Sequence, residues 1–293
     1  MDLLVLDLGG SKMRWARSSE NRISILTEYP TPRDAESICV RIVDDFKTFG
    51  RTRVAKGLAI STTGQVDNAG AIVGSTNIFA GWQGFPLRER LEESFRVPVA
   101  IINDGNAFAL GEWKHRSQES SLLNIVIGTG IGAGYVSSEG AILEGREGRA
   151  LELGHSLFAF NGRECLCGRR GCAEAYLSGY ALARRGVELL GESLQDYRQL
   201  VTLSRQHPHQ LDTFWDQVGT ELATALLSWD LIFAPHAIVF NGGVVQGHVT
   251  FWDSFLRAVK TLGRPDPALI SISILSSQAP LLGASAFWQL QYG

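Results

Sequence analysis

Four residues with metal-ligating side chains lie within one short stretch: His155, Cys165, Cys167 and Cys172, in the spacing H-x9-C-x-C-x4-C. Three thiolates and an imidazole make a complete tetrahedral donor set for zinc. A closed set leaves no position for water, so such an ion would be structural and would pin residues 155 to 172. The alternative is three reduced cysteines in a loop. The fourth cysteine, Cys39, stands alone in a helical pattern, so the usage reads as a metal cluster rather than a disulfide framework.

Asn103-Asp104 falls where a buried run, VAII, gives way to GNAFALGEW. Strand termini are where α/β proteins place reacting groups, and a carboxylate there can accept a hydroxyl proton. Asp is also a preferred helix N-cap, so Asp104 could serve as a cap, and one residue can do both. The segment ending in Asp7 is followed by Gly9, Gly10 and Ser11. Without a Cβ, glycine lets backbone N–H groups approach an anion, and Asp7 could hold Mg²⁺; the alternative is a tight hairpin with a solvated aspartate. A second glycine-rich turn, Gly128, Thr129, Gly130, Gly132 and Gly134, is suited to wrap another face of a triphosphate. It lacks the Lys-Ser/Thr of a P-loop, and a strand rather than a helix follows it. Glu152 and His155, with Glu174 further on, offer polar groups able to grip sugar hydroxyls, and Asn241, Gly242 and Gly243 would let an adenine or ribose lie against backbone.

Alternating elements must position these groups. LLVLDL (3 to 8) reads as a buried strand, with extended segments at 12 to 16 and 22 to 26. A helix follows with Thr31 as N-cap and Pro32 in its first turn, then a strand at 57 to 61, a helix at 86 to 95, a strand at 99 to 103 and a helix from Asp104. LNIVIG (123 to 128) repeats the opening device of strand, glycine-rich turn and strand. A loop-rich insert at 140 to 172 precedes helices at 173 to 190 and 211 to 233, a strand at 237 to 241, a helix at 251 to 262, a strand at 270 to 275 and a last helix from Leu281. Two halves that begin alike predict a duplicated α/β architecture of two lobes, with ligand in the cleft between them. Trp113, Trp215, Trp229, Trp252 and Trp288 read as packing residues, whereas Trp82, in NIFAGWQGF, is expected near the cleft.

The 293 residues carry 27 Lys and Arg against 30 Asp and Glu, so the chain lacks the basic footprint that nucleic acid binding needs. The longest apolar stretch, 222 to 240, is broken by Asp230, Pro235 and His236, which argues against a membrane span, and no export signal is read at the start. A cytoplasmic protein is expected.

Together these motifs resemble the ROK family (repressor, open reading frame, kinase) of the actin and hexokinase superfamily, over the whole chain. DLGGSK (7 to 12) resembles the first phosphate loop, INDGNAFALGE (102 to 112) the catalytic segment, GTGIGAG (128 to 134) the second phosphate loop, LELGH (151 to 155) the sugar segment, CLCGRRGCAE (165 to 174) the zinc signature and FNGGV (240 to 244) the adenosine segment. The resemblance implies an actin-like, RNase H-like ATPase fold: a smaller lobe over 1 to 115, completed by a C-terminal helix at 281 to 293, and a larger lobe over 116 to 280. It implies Asp104 as catalytic base, Gly64, Asn77, Asn103, Glu152, His155 and Glu174 as sugar contacts, and Asp7, Gly9, Gly10, Ser11, Lys12, Gly128, Thr129, Gly130, Gly132, Gly242 and Gly243 as nucleotide contacts. His155 would bind zinc through one ring nitrogen and a sugar hydroxyl through the other.

The implied reaction is ATP- and Mg²⁺-dependent phosphorylation of a hexose or N-acetylhexosamine at its 6-hydroxyl, by a homodimer. Thr62-Thr63-Gly64 is similar to N-acetylmannosamine kinases, the preferred reading, and NIFAGWQGFPL to glucose kinases. Two departures accompany these matches: Ser11 stands where threonine is usual, and Leu151 where a glycine usually precedes the glutamate. The family also holds DNA-binding repressors, disfavoured by the first strand beginning at Leu3, and a silent sugar sensor is the remaining rival.

Overall fold

The computed structural model describes the chain except residues 1, 20, 21, 51–54, 75–78, 117–119, 149, 150, 192, 207, 208, 210 and 248–250. The elements are β1 (Asp2–Leu8), β2 (Lys12–Ser19), β3 (Arg22–Pro30), α1 (Ala35–Gly50), β4 (Ala55–Thr62), β5 (Gln65–Val66), β6 (Ile72–Gly74), α2 (Leu87–Phe95), β7 (Val99–Asn103), α3 (Asp104–His115), β8 (Leu122–Ile127) and β9 (Ile131–Val136). After the insert come α4 (Glu174–Leu177), α5 (Gly179–Leu190), α6 (Tyr197–Gln206), α7 (Asp212–Phe233), β10 (Ala237–Asn241), α8 (Gly243–Gln246), α9 (Trp252–Leu262), β11 (Ile270–Ile272) and α10 (Ala279–Tyr292). Two compact units result: residues 1–119, 134–151 and 275–293 form the first, and 120–133 with 152–274 the second.

The first unit is built on a five-stranded sheet in the order β3-β2-β1-β4-β7. β1 pairs antiparallel with β2 and parallel with β4, and β4 pairs parallel with β7. β1 and β4 are buried along nearly their whole length, as expected of parallel strands covered on both faces. Ile38, Ile42 and Phe46 of α1 pack into the core with Leu4, Leu6, Met13 and Trp15. α10 lies against β4, where a Cβ at Gly57 would sit 2.5 Å from the Trp288 indole nitrogen. The Trp288 indole donates to the Pro98 carbonyl at 3.3 Å.

The second unit holds the sheet β11-β10-β8-β9, in which β10 is parallel to both β8 and β11. Each sheet thus starts with a strand, turns through glycines into its neighbour, and places a later strand parallel on the other side, which is the expected duplication. Its helices are tied by charge: Arg185 of α5, 5% exposed, pairs with Glu221 of α7 at 2.6 Å and donates to the Tyr176 carbonyl of α4.

Four local expectations need correction. α1 starts at Ala35, not at Pro32, and Asp34 rather than Thr31 caps it by accepting the Ser37 N–H at 2.8 Å. Thr31 instead donates its hydroxyl to the Gly9 carbonyl. The helix expected at 173 to 190 breaks at Ser178, whose hydroxyl caps α5 by accepting from the Ala181 N–H. α6 was not expected at all. Trp82 is 1% exposed and stacks against Phe85, yet it borders the candidate site, its indole N–H donating to the Thr63 carbonyl next to Gly64. Among the described residues no helix is long and apolar enough to cross a membrane.

Candidate active site

Parallel strands align their carboxyl ends along one edge, the edge where α/β sheets bind ligands. In the first unit the register sets Asp7 opposite Ser61 and Thr62 opposite Asn103. Asp7, Thr62-Thr63-Gly64 and Asn103-Asp104 therefore share that edge. Asn103, not Asp104, is the N-cap of α3: its Oδ1 accepts the Asn106 N–H at 3.2 Å. Its Nδ2 donates to the Gly64 carbonyl at 2.9 Å and to Asp104 Oδ1 at 3.1 Å. The Gly105 N–H also donates to Asp104 Oδ1, at 2.9 Å, so two donors hold that oxygen. Trp82 supports the same corner by donating its indole N–H to the Thr63 carbonyl at 3.1 Å. Gly64, Asn103 and Asp104 are thus brought together, while Asn77 lies outside the described residues.

Asp7 faces this corner from β1. Removal from water and the nearby charge of Asp104 push its carboxyl up to about 7, against the opposing pull of Arg14 and the Ser61 hydroxyl. The charge of Asp104 raises the cost of ionising Asp7, and a divalent cation held by Asp7 would lower it. Ser61 carries no signal in the sequence, because nothing in AIST marks a serine that β4 sets beside Asp7 of β1. The turn after Asp7 is held by the Gly9 N–H donating to the Lys12 carbonyl at 3.0 Å and by Thr31, whose N–H donates to the Ser11 carbonyl at 3.1 Å. Lys12 directs its ammonium to Glu28 at 2.6 Å, and Arg14 donates to the same carboxylate.

In the second unit the same logic applies at the carboxyl ends of β8 and β10. The Gly128 N–H donates to the Gly130 carbonyl at 2.9 Å, closing the turn, and the Gly179 N–H donates to the Gly128 carbonyl at 2.8 Å. A Cβ at Gly130 would meet Glu174 Oε2 at 2.6 Å, so a larger residue there would displace that carboxylate. Gly242 adopts φ 95°, and a Cβ at Gly243 would lie 2.5 Å from the Tyr197 hydroxyl oxygen of α6. Beneath this turn the buried Asn241 donates to Asn124 Oδ1 at 2.6 Å.

His155, Cys165, Cys167 and Cys172 present ligand atoms all within 4.8 Å of one another. Cys165 Sγ is 3.7 Å from His155 Nδ1, and Cys167 Sγ is 3.7 Å from Cys172 Sγ. Donors about 2.0 to 2.3 Å from a tetrahedral zinc lie about 3.3 to 3.8 Å from each other, and these two pairs fall in that range, so the residues fit that ion. Burial works against ionisation of the thiols and pushes Cys165 and Cys172 up, the latter to about 12. At Cys167 hydrogen bonds from Arg169 outweigh it and hold the thiol down to about 6, a ready thiolate donor. Glu152 opens the short helical turn 153–155, its carbonyl accepting the His155 N–H at 2.9 Å. Leu151 before it holds φ 61°, the left-handed conformation a glycine would take freely. Glu174 is buried, with Oε2 accepting the Ile131 N–H at 2.8 Å and Oε1 3.8 Å from Cys165 Sγ.

The ROK family profile matches residues 3–291. A glucokinase from Thermotoga maritima is 30% identical over 270 residues, 86% of this chain and 85% of that protein. An N-acetylmannosamine kinase from Shigella boydii serotype 18 is 29% identical over 296 residues, 99% of each chain. Among solved structures, a ROK family glucokinase from Streptomyces griseus in complex with glucose and AMPPNP superposes with a TM-score of 0.82 at 25% identity, over 98% of both chains.

Proposed function

Since the chain belongs to the ROK family, we propose that it is an ATP-dependent sugar kinase acting on the 6-hydroxyl of a hexose or N-acetylhexosamine. The observation that carries this reading is the fixed Asp104 carboxylate at the β7–α3 junction, beside the Asn103–Gly64 pair. Support also comes from the relatives, which are named as sugar kinases.

Asn103 and the Gly64 backbone orient the sugar, with Glu152, His155 and Glu174 as the further hydroxyl contacts. Asp104 accepts the proton of the 6-hydroxyl as its oxygen bonds to the γ-phosphorus and the bond to the departing ADP breaks. One oxygen of the carboxylate is already held by Asn103 and Gly105, and such positioning supplies much of the rate in phosphoryl transfer. The Gly10 amide with the Ser11 hydroxyl, and the amides of the Gly128–Gly132 turn other than those of Gly128 and Ile131, which already bond the Gly130 carbonyl and Glu174, are donors for phosphate oxygens, and Gly242-Gly243 offers a surface for the nucleoside. Asp7 is the residue that would hold Mg²⁺, which when bound neutralises phosphate charge. His155, Cys165, Cys167 and Cys172 would hold a structural zinc, a role that fits a cytoplasmic setting where thiols stay reduced. A homodimer belongs to the same reading by resemblance to the family.

N-acetylmannosamine is the first substrate to test and glucose the second. Thr62-Thr63-Gly64 and the 99% coverage of the N-acetylmannosamine kinase favour the former. The test is ADP release with Mg-ATP across glucose, mannose, N-acetylmannosamine, N-acetylglucosamine, fructose and allose. One sugar should stand far above the others; silence across the panel from zinc-loaded protein that binds ATP would contradict the kinase reading and favour a sensor.

A further inference from the structure

Glu174 sits between the glycine turn 128–132 and the cysteine cluster, within the second unit. Its Oε2 accepts the Ile131 N–H at 2.8 Å, at the point where the glycine turn becomes β9, and it occupies the space a side chain at Gly130 would need. Its Oε1 lies 3.8 Å from Cys165 Sγ, inside the cysteine cluster. The next helical turn repeats the link: the Tyr180 N–H donates to the Thr129 carbonyl at 3.4 Å, and the Tyr180 hydroxyl donates to Cys165 Sγ at 3.7 Å. Both connections run from one cysteine to one turn, through buried or half-buried side chains.

We propose that Glu174 is a positioning residue for the glycine turn 128–132, a strut by which order at the cysteine cluster fixes the amides of that turn. A sugar contact alone does not explain this placement, since one carboxylate oxygen is committed to a backbone N–H of the turn. A hydrogen bond to a charged acceptor in a buried setting is among the stronger ones available to a backbone amide. The inference rests on reading 128–132 as a phosphate-binding turn for its functional meaning, but the strut itself can be tested without nucleotide.

The experiment is hydrogen exchange of the 128–133 amides in the full chain, with zinc content measured in parallel, for the wild type, Glu174→Ala and Glu174→Gln. With zinc retained, Glu174→Ala should exchange at Ile131 at least about tenfold faster, and Glu174→Gln, which keeps an acceptor oxygen, should recover part of that loss. Chelation of the wild type should loosen the same amides, and at Ile131 chelation of Glu174→Ala should add little, because that amide's acceptor is already gone and only the Tyr180 link still answers to the cluster. Wild-type protection at Ile131 in zinc-loaded Glu174→Ala, or additive effects of chelation and substitution at that amide, would overturn the proposal. If Glu174→Ala does not fold, Glu174→Gln decides alone: at least about threefold faster exchange supports the strut, and unchanged exchange refutes it. Mg-ADP titrations of the same proteins separate the two readings. A protected turn that binds no nucleotide would contradict the phosphate-loop assignment while leaving the strut standing.

Discussion

Asp7 and Asp104 interact through space before any ligand arrives. Burial and then the charge of Asp104 raise the Asp7 carboxyl from 3.8 to about 7. A carboxyl whose folded value is raised favours folding in its protonated form: the contribution is complete below the unfolded value and is lost as pH rises through about 7. Replacing Asp104 by Asn removes the like charge, so the Asp7 midpoint should fall, as read by carboxyl carbon NMR shifts. An unchanged midpoint would mean that burial alone sets it. Leu151 makes a second case. Its left-handed φ of 61° costs about 1–2 kcal/mol for a residue with a side chain. Leu151→Gly should therefore be more stable than Leu151→Val by more than about 1 kcal/mol in denaturant unfolding, the reverse of their order in an ordinary strand. The sequence marked this position as a departure, and the backbone explains how the loop keeps its course without the glycine.

At the scale of elements, the strand-to-helix junctions carry the chemistry and the supports around them are what the sequence hid. The buried runs LLVLDL, VAII and LNIVIG are legible because hydrophobic runs ending in Gly or Asp mark strand exits. The N-cap assignment failed between two adjacent residues, Asn103 and Asp104, since both are good caps and only the register decides. The burial of Trp82 was unreadable for a different reason: its neighbours Phe79 and Phe85 form a core only after the loop folds back under Thr63. Trp82→Phe keeps the ring packing and removes the 3.1 Å donor to the Thr63 carbonyl. A lost hydrogen bond of about 1 kcal/mol at that corner should raise the KM for sugar about fivefold with kcat changed less; equal falls in kcat alone would point elsewhere. α6 escaped because its apolar positions are few, with Leu200 as its one buried residue among those described, yet Tyr197 at its start stands over Gly243.

For the molecule as a whole, the cysteine cluster is the one feature legible from spacing alone, since four ligands in eighteen residues leave few other uses. Its cost and benefit are thermodynamic: ligands must give up protons to bind, and the binding energy then adds to folding. One zinc per chain is expected, and chelation should lower the unfolding temperature by about 10 °C or more, given about 2–4 °C per kcal/mol for units of this size. Calorimetry with and without chelator checks this, and an unchanged transition would show that the cluster holds no structural ion. The duplicated topology was readable because both halves open with the same strand, glycine turn and strand. The supports that cross within each unit, such as Glu174 to Ile131, were not, because nothing in the spacing of residues 131 and 174 links them.

The proposed reaction turns on Asp104 taking the proton of the accepting hydroxyl. Its most direct test is Asp104→Asn, with kcat from ADP release under saturating sugar and Mg-ATP, and sugar affinity from calorimetry on the same protein. Turnover lowered by about 10² or more with sugar affinity largely kept is the predicted result. Sugar affinity lost in parallel with turnover, or turnover unchanged, would contradict it.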